Sequence, residues 1–125
     1  MTLAESIRTY DAIHPAARVE LLESAAALTM LSISGELDLK AATDLEPLLF
    51  RSVDECCSGG VMILELSGVS YISSAGVGML AGARARSARH SVDLRLRNVP
   101  MPVTKIFEVL GLMAFFEIEA SGAQG

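Results

Sequence analysis

Val61–Ala88 reads VMILELSGVSYISSAGVGMLAGARARSA, and the rest of the chain is arranged around it. Val61–Leu66 is an apolar run rich in branched residues and broken only by Glu65, the pattern of a strand covered on both faces. Ser67–Ser73 reads as a short loop, and a helix starts at or near Ser74. Val77, Leu80, Ala81, Ala85 and Ala88 recur at helical spacing, with Arg84, Arg86 and Arg89 mostly on other faces. Ser73 and Ser74 stand where an N-cap belongs, and Ala75, Gly76 and Val77 follow with nothing bulky to shield their amides. First-turn amides have no intrahelical partner and carry the positive end of the helix dipole. A phosphate attached to a hydroxyl here would meet free donors rather than repulsion.

Working towards the N-terminus, Arg18–Glu23 and Leu28–Ser34 read as an antiparallel pair joined through Ser24-Ala25-Ala26. The second strand is apolar on most of both faces and is expected to be central. Gly35 breaks it, and Glu36 and Asp38 flank Leu37 on the way into a helix from Ala41 to about Cys57. Leu45, Leu48, Leu49 and Val53 form that helix's buried stripe. Pro47 fits only if the regular helix begins near Asp44, which would then cap it. Before all this, Thr2 and Glu5 form a capping box, Leu3, Ile7, Tyr10 and Ile13 follow helical spacing, and Pro15 ends the segment. A short helix and a partly disordered leader are both compatible with residues 1–17.

Towards the C-terminus, Val92–Leu96 alternates as a strand near a sheet edge. Pro100 and Pro102 mark the loop into a helix at about Val103–Leu110. Gly111 supplies its C-cap and Leu112 folds back over it. Phe115–Glu119 is a last short strand, and Ser121–Gly125 should fray. The order is β-β-α-β-α-β-α-β: an α/β domain over residues 18–120, with a small mixed sheet of about five strands under one layer of about three helices, each crossover right-handed.

The chain has 125 residues, 51% hydrophobic and 20% charged, enough for one ordinary core. A net charge of -5 argues against nucleic acid as a direct partner, because phosphate contacts need a basic footprint. The Arg84–Arg89 cluster reads as a solvated helix face. No apolar run is long enough for a membrane span, and the N-terminus does not read as a secretory signal. Cys56 and Cys57 are adjacent, without zinc-ligand spacing, and read as two thiols in a reducing cytoplasm.

Catalysis finds little support. Ser74 is not in a G-x-S-x-G elbow, since Ile72 and Gly76 flank it at two residues, and no motif places His14 or His90 beside it. Gly76, Gly78 and Gly82 have the wrong spacing for a dinucleotide loop and no lysine follows for a P-loop; they read as close helix–sheet packing. No metal site, cofactor site or paired-carboxylate site emerges, so the chain is read as a binding module and not an enzyme.

GVSYISSAGVGML resembles the signature loop of STAS domains, specifically of bacterial anti-sigma factor antagonists. The family's form there is aspartate, serine, serine or threonine, glycine, a branched apolar residue, glycine. Ser73 falls on the aspartate, Ser74 on the serine that the cognate kinase phosphorylates, Ala75 on the second hydroxyl residue and Gly76 on the glycine. SGELDL at Ser34–Leu39 is similar to the family's GELD segment, and LRLRNVPMPVTKIFEVLGL to its fourth strand and last helix. The resemblance covers about Val19 to Ile118 and implies a single STAS domain with the element order above. It implies an antagonist that binds an anti-sigma factor with serine kinase activity, frees a sigma factor, is expelled by phosphorylation at Ser74, and is reset by a metal-dependent serine phosphatase. Ser73 is the second candidate for the phosphate. The binding surface implied is Glu36, Asp38 and Ser73–Gly76, with the exposed side of the second helix. Asp38 also reads simply as a helix cap. The alternative is a non-phosphorylated STAS interaction subunit of a transport or stress-signalling complex, and a homodimer fits either reading. Ser73 in place of aspartate keeps a cap but removes a fixed charge beside the acceptor.

Overall fold

The structure, a computed structural model, describes residues 17–119 apart from Ala26 and Cys57; the expected leader helix and the expected frayed tail lie outside the described residues. Strand β1 (Ala17–Ala25) turns back onto β2 (Leu28–Leu37). There follow α1 (Leu39–Glu55), β3 (Val61–Ile72), α2 (Ser74–Arg89), β4 (Asp93–Arg97), α3 (Met101–Leu110) and β5 (Glu117–Glu119). The strands lie side by side in chain order, with β1 antiparallel to β2 and the other pairs parallel. This mixed sheet of five strands with three helices has the element order expected from the sequence.

One face of the sheet is apolar. Leu31, Leu64, Leu96 and Ile118 stand in one lateral row, and Thr29, Met62 and Leu94 in the next. The buried stripes of all three helices join these rows in a single core: Leu45, Leu49 and Val53 from α1, Val77, Leu80 and Ala83 from α2, Val103 and Phe107 from α3. The helices therefore form one layer on this face. A leucine fully buried there contributes roughly 1.5–3 kcal/mol relative to exposure. Phe116, just before β5, stacks on Phe107 with ring centroids 4.6 Å apart and closes the far side of the core.

Helices α1 and α2 also grip each other. A Cβ on Gly82 would lie 2.9 Å from Phe50 Cζ, so the glycine makes room for that ring. Arg86 then lies over the ring at 5.2 Å and forks onto Asp54 at 2.7 and 2.8 Å, with His90 Nε2 3.3 Å from the same carboxylate. Part of the arginine cluster is thus an interhelical clamp rather than a solvated face. The Arg86 guanidinium holds the Asp54 carboxyl below its usual range.

The other face of the sheet is mostly polar. Arg95 pairs with Asp93 at 2.7 Å, and Arg97 with Glu119 at 2.9 Å. Glu65, the residue that broke the apolar run, accepts from the Ser67 amide at 2.7 Å and from Asn98 Nδ2 at 2.6 Å.

Several boundaries differ from the sequence reading. The expected loop Ser67–Ser73 is strand as far as Ile72, because β2 does not stop at Gly35 but continues to Leu37 and keeps pairing. Irregularities between Ser32 and Ser34 and between Gly35 and Glu36 break the period-2 pattern, which hid the continuation. Gly35 is left-handed at φ 91°, so it bends the strand instead of ending it. The central position belongs to β3, with β2 one place out.

Helix α1 starts at Leu39, capped by Asp38 and not by Asp44, and it runs through Pro47. Pro47 is exposed, so the Thr43 carbonyl that loses its helical donor lies on the solvent side. β4 is shifted by one residue, α3 begins two residues early at Met101, and β5 starts at Glu117 because Phe116 is committed to the core. At the end of α3, Gly111 takes φ 68° and the Leu112 amide donates to the Phe107 carbonyl at 2.8 Å, as the glycine and following leucine suggested.

Candidate functional site

Both long helices begin at the same end of the sheet. In the register, Glu36 faces Tyr71 and Leu37 faces Ile72, so the next residues of each strand, Asp38 and Ser73, emerge side by side. The Ser73 amide donates to the Leu37 carbonyl at 2.9 Å and fastens the two exits together. Each exit residue then caps a helix. Asp38 Oδ1 accepts from the Ala41 amide at 2.9 Å, and Ser73 Oγ accepts from the Gly76 amide at 3.1 Å.

The two serines are therefore unequal. Ser73 is half-buried with its hydroxyl oxygen taken up by the cap, while Ser74 is the first residue of α2 and is exposed. Beside it, the amides of Ser74 and Ala75 sit in the first helical turn, where no preceding carbonyl can reach them. The positive end of the α2 dipole adds to this. A group with two or more negative oxygens, borne on the Ser74 hydroxyl, is electrostatically acceptable at this spot.

The remaining candidates fall around this pair. Glu36 and Asp38 are exposed, Ala75 is half-buried, and Gly76 is buried. Gly76 shapes the site from below: a Cβ there would lie 2.6 Å from Ile72 Cγ1 and 3.3 Å from the Leu37 carbonyl oxygen. Gly78, by contrast, would meet nothing within 4 Å, so close packing explains Gly76 and Gly82 but not Gly78.

Two residues at this end escaped the sequence reading. Leu39 is 68% exposed and Tyr71 51% exposed, large side chains one residue after Asp38 and two residues before Ser73 in the chain. Leu39 was passed over because the helix was expected to start at Ala41, whereas it starts at Leu39. Tyr71 was hidden by the reading of its segment as a loop.

A family model described as the STAS domain matches residues 18–124. The chain belongs to the STAS family. Among curated relatives, the anti-sigma-B factor antagonist of Bacillus subtilis is 26% identical over 95 residues, covering 76% of this chain and 84% of its own. Among solved structures, the anti-sigma factor antagonist SpoIIAA in its unphosphorylated form superposes with a TM-score of 0.68 at 18% identity, covering 85% of this chain and 91% of that one. The Bacillus cell fate determinant SpoIIAA in its phosphorylated form gives 0.63 at 18% identity, covering 85% and 95%. These superpositions show that the fold is the STAS fold. Among the described residues, no helix is long and apolar enough to cross a membrane.

Proposed function

We propose that this STAS domain is an anti-sigma factor antagonist switched by a phosphate on Ser74. The observation that carries the reading is the exposed Ser74 hydroxyl at the start of α2, one residue past a serine already used as the cap. In the unphosphorylated state the domain binds an anti-sigma factor with serine kinase activity through Glu36, Asp38, Ser73, Ser74 and Ala75, with Gly76 setting the close approach of helix and strand. That binding frees a sigma factor. Transfer of a phosphoryl group to Ser74 adds about -1.5 to -2 charges at neutral pH. The helix amides tolerate that charge in water, but a closely packed partner would have to desolvate it, at a cost of several kcal/mol unless it supplied counter-charges. The partner leaves and the fold stays. A metal-dependent phosphatase resets the domain, and the cycle runs in the cytoplasm.

Anti-sigma factor antagonists among the relatives support this role, as does the SpoIIAA likeness in fold. Phosphate mapping by mass spectrometry tests the site. The wild-type domain, incubated with its anti-sigma kinase and ATP, is expected to carry one phosphate on Ser74, and Ser74→Ala is expected to incorporate none. Unchanged incorporation in Ser74→Ala rules the site out, and phosphate found on Ser73 instead moves the switch to the cap.

A further inference from the structure

On the face of the sheet away from the helices, Leu28 is the lateral neighbour of Val61, and Met30 of Ile63. These four form an apolar block, and none of them belongs to the core cluster under the helices. Ile63 is nevertheless only 6% exposed. Its lateral neighbours on this face are Met30 and Arg95, and along β3 they are Val61 and Glu65. Such neighbours close the flanks of a sheet residue, not its outward end. Arg95 is held along β4 by Asp93 at 2.7 Å and stands 3.6 Å from Glu119, and Glu65 is held by Ser67 and Asn98. The three described helices all pack on the opposite face.

We propose that residues 3–13 of this same chain lie across the block, with Leu3, Ile7, Tyr10 and Ile13 turned towards it. These four side chains fall on one stripe of a helix. A helix of that length is about 16 Å long and is marginal in water without a surface to pack on. The distances suit it. Ala17 pairs with Gly35, at the end of the sheet where the caps sit. From Gly35 back along β2 to Met30 is about 16 Å at the rise of a strand. His14-Pro15-Ala16 supply the turn around the sheet end. Residues 120–125, Ala-Ser-Gly-Ala-Gln-Gly, are a poorer fit, because they carry no large apolar side chain. The cover lies on the side of the sheet away from α2, so the Ser74 surface stays open.

Methyl NMR on the full chain tests the placement. With isoleucine, leucine and methionine methyls labelled, the Ile63 methyl is expected to show nuclear Overhauser cross-peaks to Ile7, Ile13 or the Tyr10 ring, unchanged on tenfold dilution. The Ile7→Asp, Ile13→Asp double variant is expected to lose them, and broadening of the Ile63 methyl by a soluble gadolinium chelate is expected to rise severalfold. Cross-peaks from Ile63 to sheet residues alone, or to the leader only between differently labelled copies, overturn the proposal. So does unchanged broadening in the double variant; the intermolecular result assigns the block to a second copy of the chain.

Discussion

The amide of Ser73 donates to the carbonyl of Leu37 across 2.9 Å, so the start of α2 is tied to the last residue of β2. Through it, the cap of one helix and the cap of the other sit on a single fastened strand end.

Removing the α2 cap should therefore be felt in stability. Ser73→Ala is expected to lose about 1 kcal/mol, the usual worth of a serine cap. Ser73→Asp keeps an acceptor for the Gly76 amide and adds a charge the helix dipole favours, so it should be at least as stable as wild type. Urea unfolding measures both. Equal loss in the two variants would mean that the Ser73 side chain is not acting as a cap.

Gly76 and Gly78, two residues apart on α2, should respond to alanine with opposite signs. At Gly76 the new methyl meets Ile72 Cγ1 and the Leu37 carbonyl, so a loss of about 1–3 kcal/mol is expected. At the exposed Gly78 the methyl meets nothing, and removing the backbone freedom of glycine should stabilise by about 0.5–1 kcal/mol. Thermal unfolding of the two single variants decides the matter. Stabilisation in both would show that Ile72 yields.

Glu65 gives a pH signature. Burial pushes its carboxyl up, but hydrogen bonds from Ser67 and Asn98 and the charge of Arg97 outweigh that and leave it below the usual glutamate value. A group depressed in the folded state stabilises above its unfolded pKa, about 4.3, and loses that contribution as pH falls through its folded pKa. In Glu65→Gln, either amide orientation costs a contact, because an NH2 group then faces the Asn98 or the Ser67 donor. The variant should be less stable than wild type by about 1 kcal/mol at pH 7, with the gap closing below about pH 4. Urea titrations at several pH values follow it. A gap that persists at low pH would assign the effect to packing rather than charge.

If the proposed function holds, a fixed charge at Ser74 separates binding from folding. Ser74→Glu places a carboxylate in the first turn of α2, where the dipole favours it by about 0.3–1 kcal/mol. Its melting temperature should equal or slightly exceed that of wild type, while its affinity for the anti-sigma kinase should fall at least tenfold, as calorimetry would show. A lower melting temperature with intact binding contradicts the mechanism.

The parts of the fold that were legible in the sequence are those with one unambiguous period. The row Leu31–Leu64–Leu96, the stripe of α1 and the Gly111–Leu112 ending announce themselves because each residue has one environment. The last third of β3 did not. There the ladder is irregular, buried Val69 and Ile72 are separated by exposed Ser70 and Tyr71, and no two-residue alternation survives. The cap positions were visible as residue types, yet the partner of each was not. Asp38 and Asp44 both look like caps for α1, and only the continuation of β2 to Leu37 selects Asp38. The division of labour between Ser73 and Ser74 likewise depends on which hydroxyl reaches the Gly76 amide. The role of Gly76 itself rests on the position of Ile72, which helical spacing cannot supply.

Because every strand pairs with the one made just before it, the sheet can be laid down in the direction of synthesis, from β1 to β5. The stack of Phe116 on Phe107 is the exception to this early assembly. Until residue 116 has been added, the end of α3 has an aromatic ring with no lid. A nascent domain interrupted before that point would show a nearly finished sheet with a greasy flank, which is the kind of surface that chaperones and proteases engage.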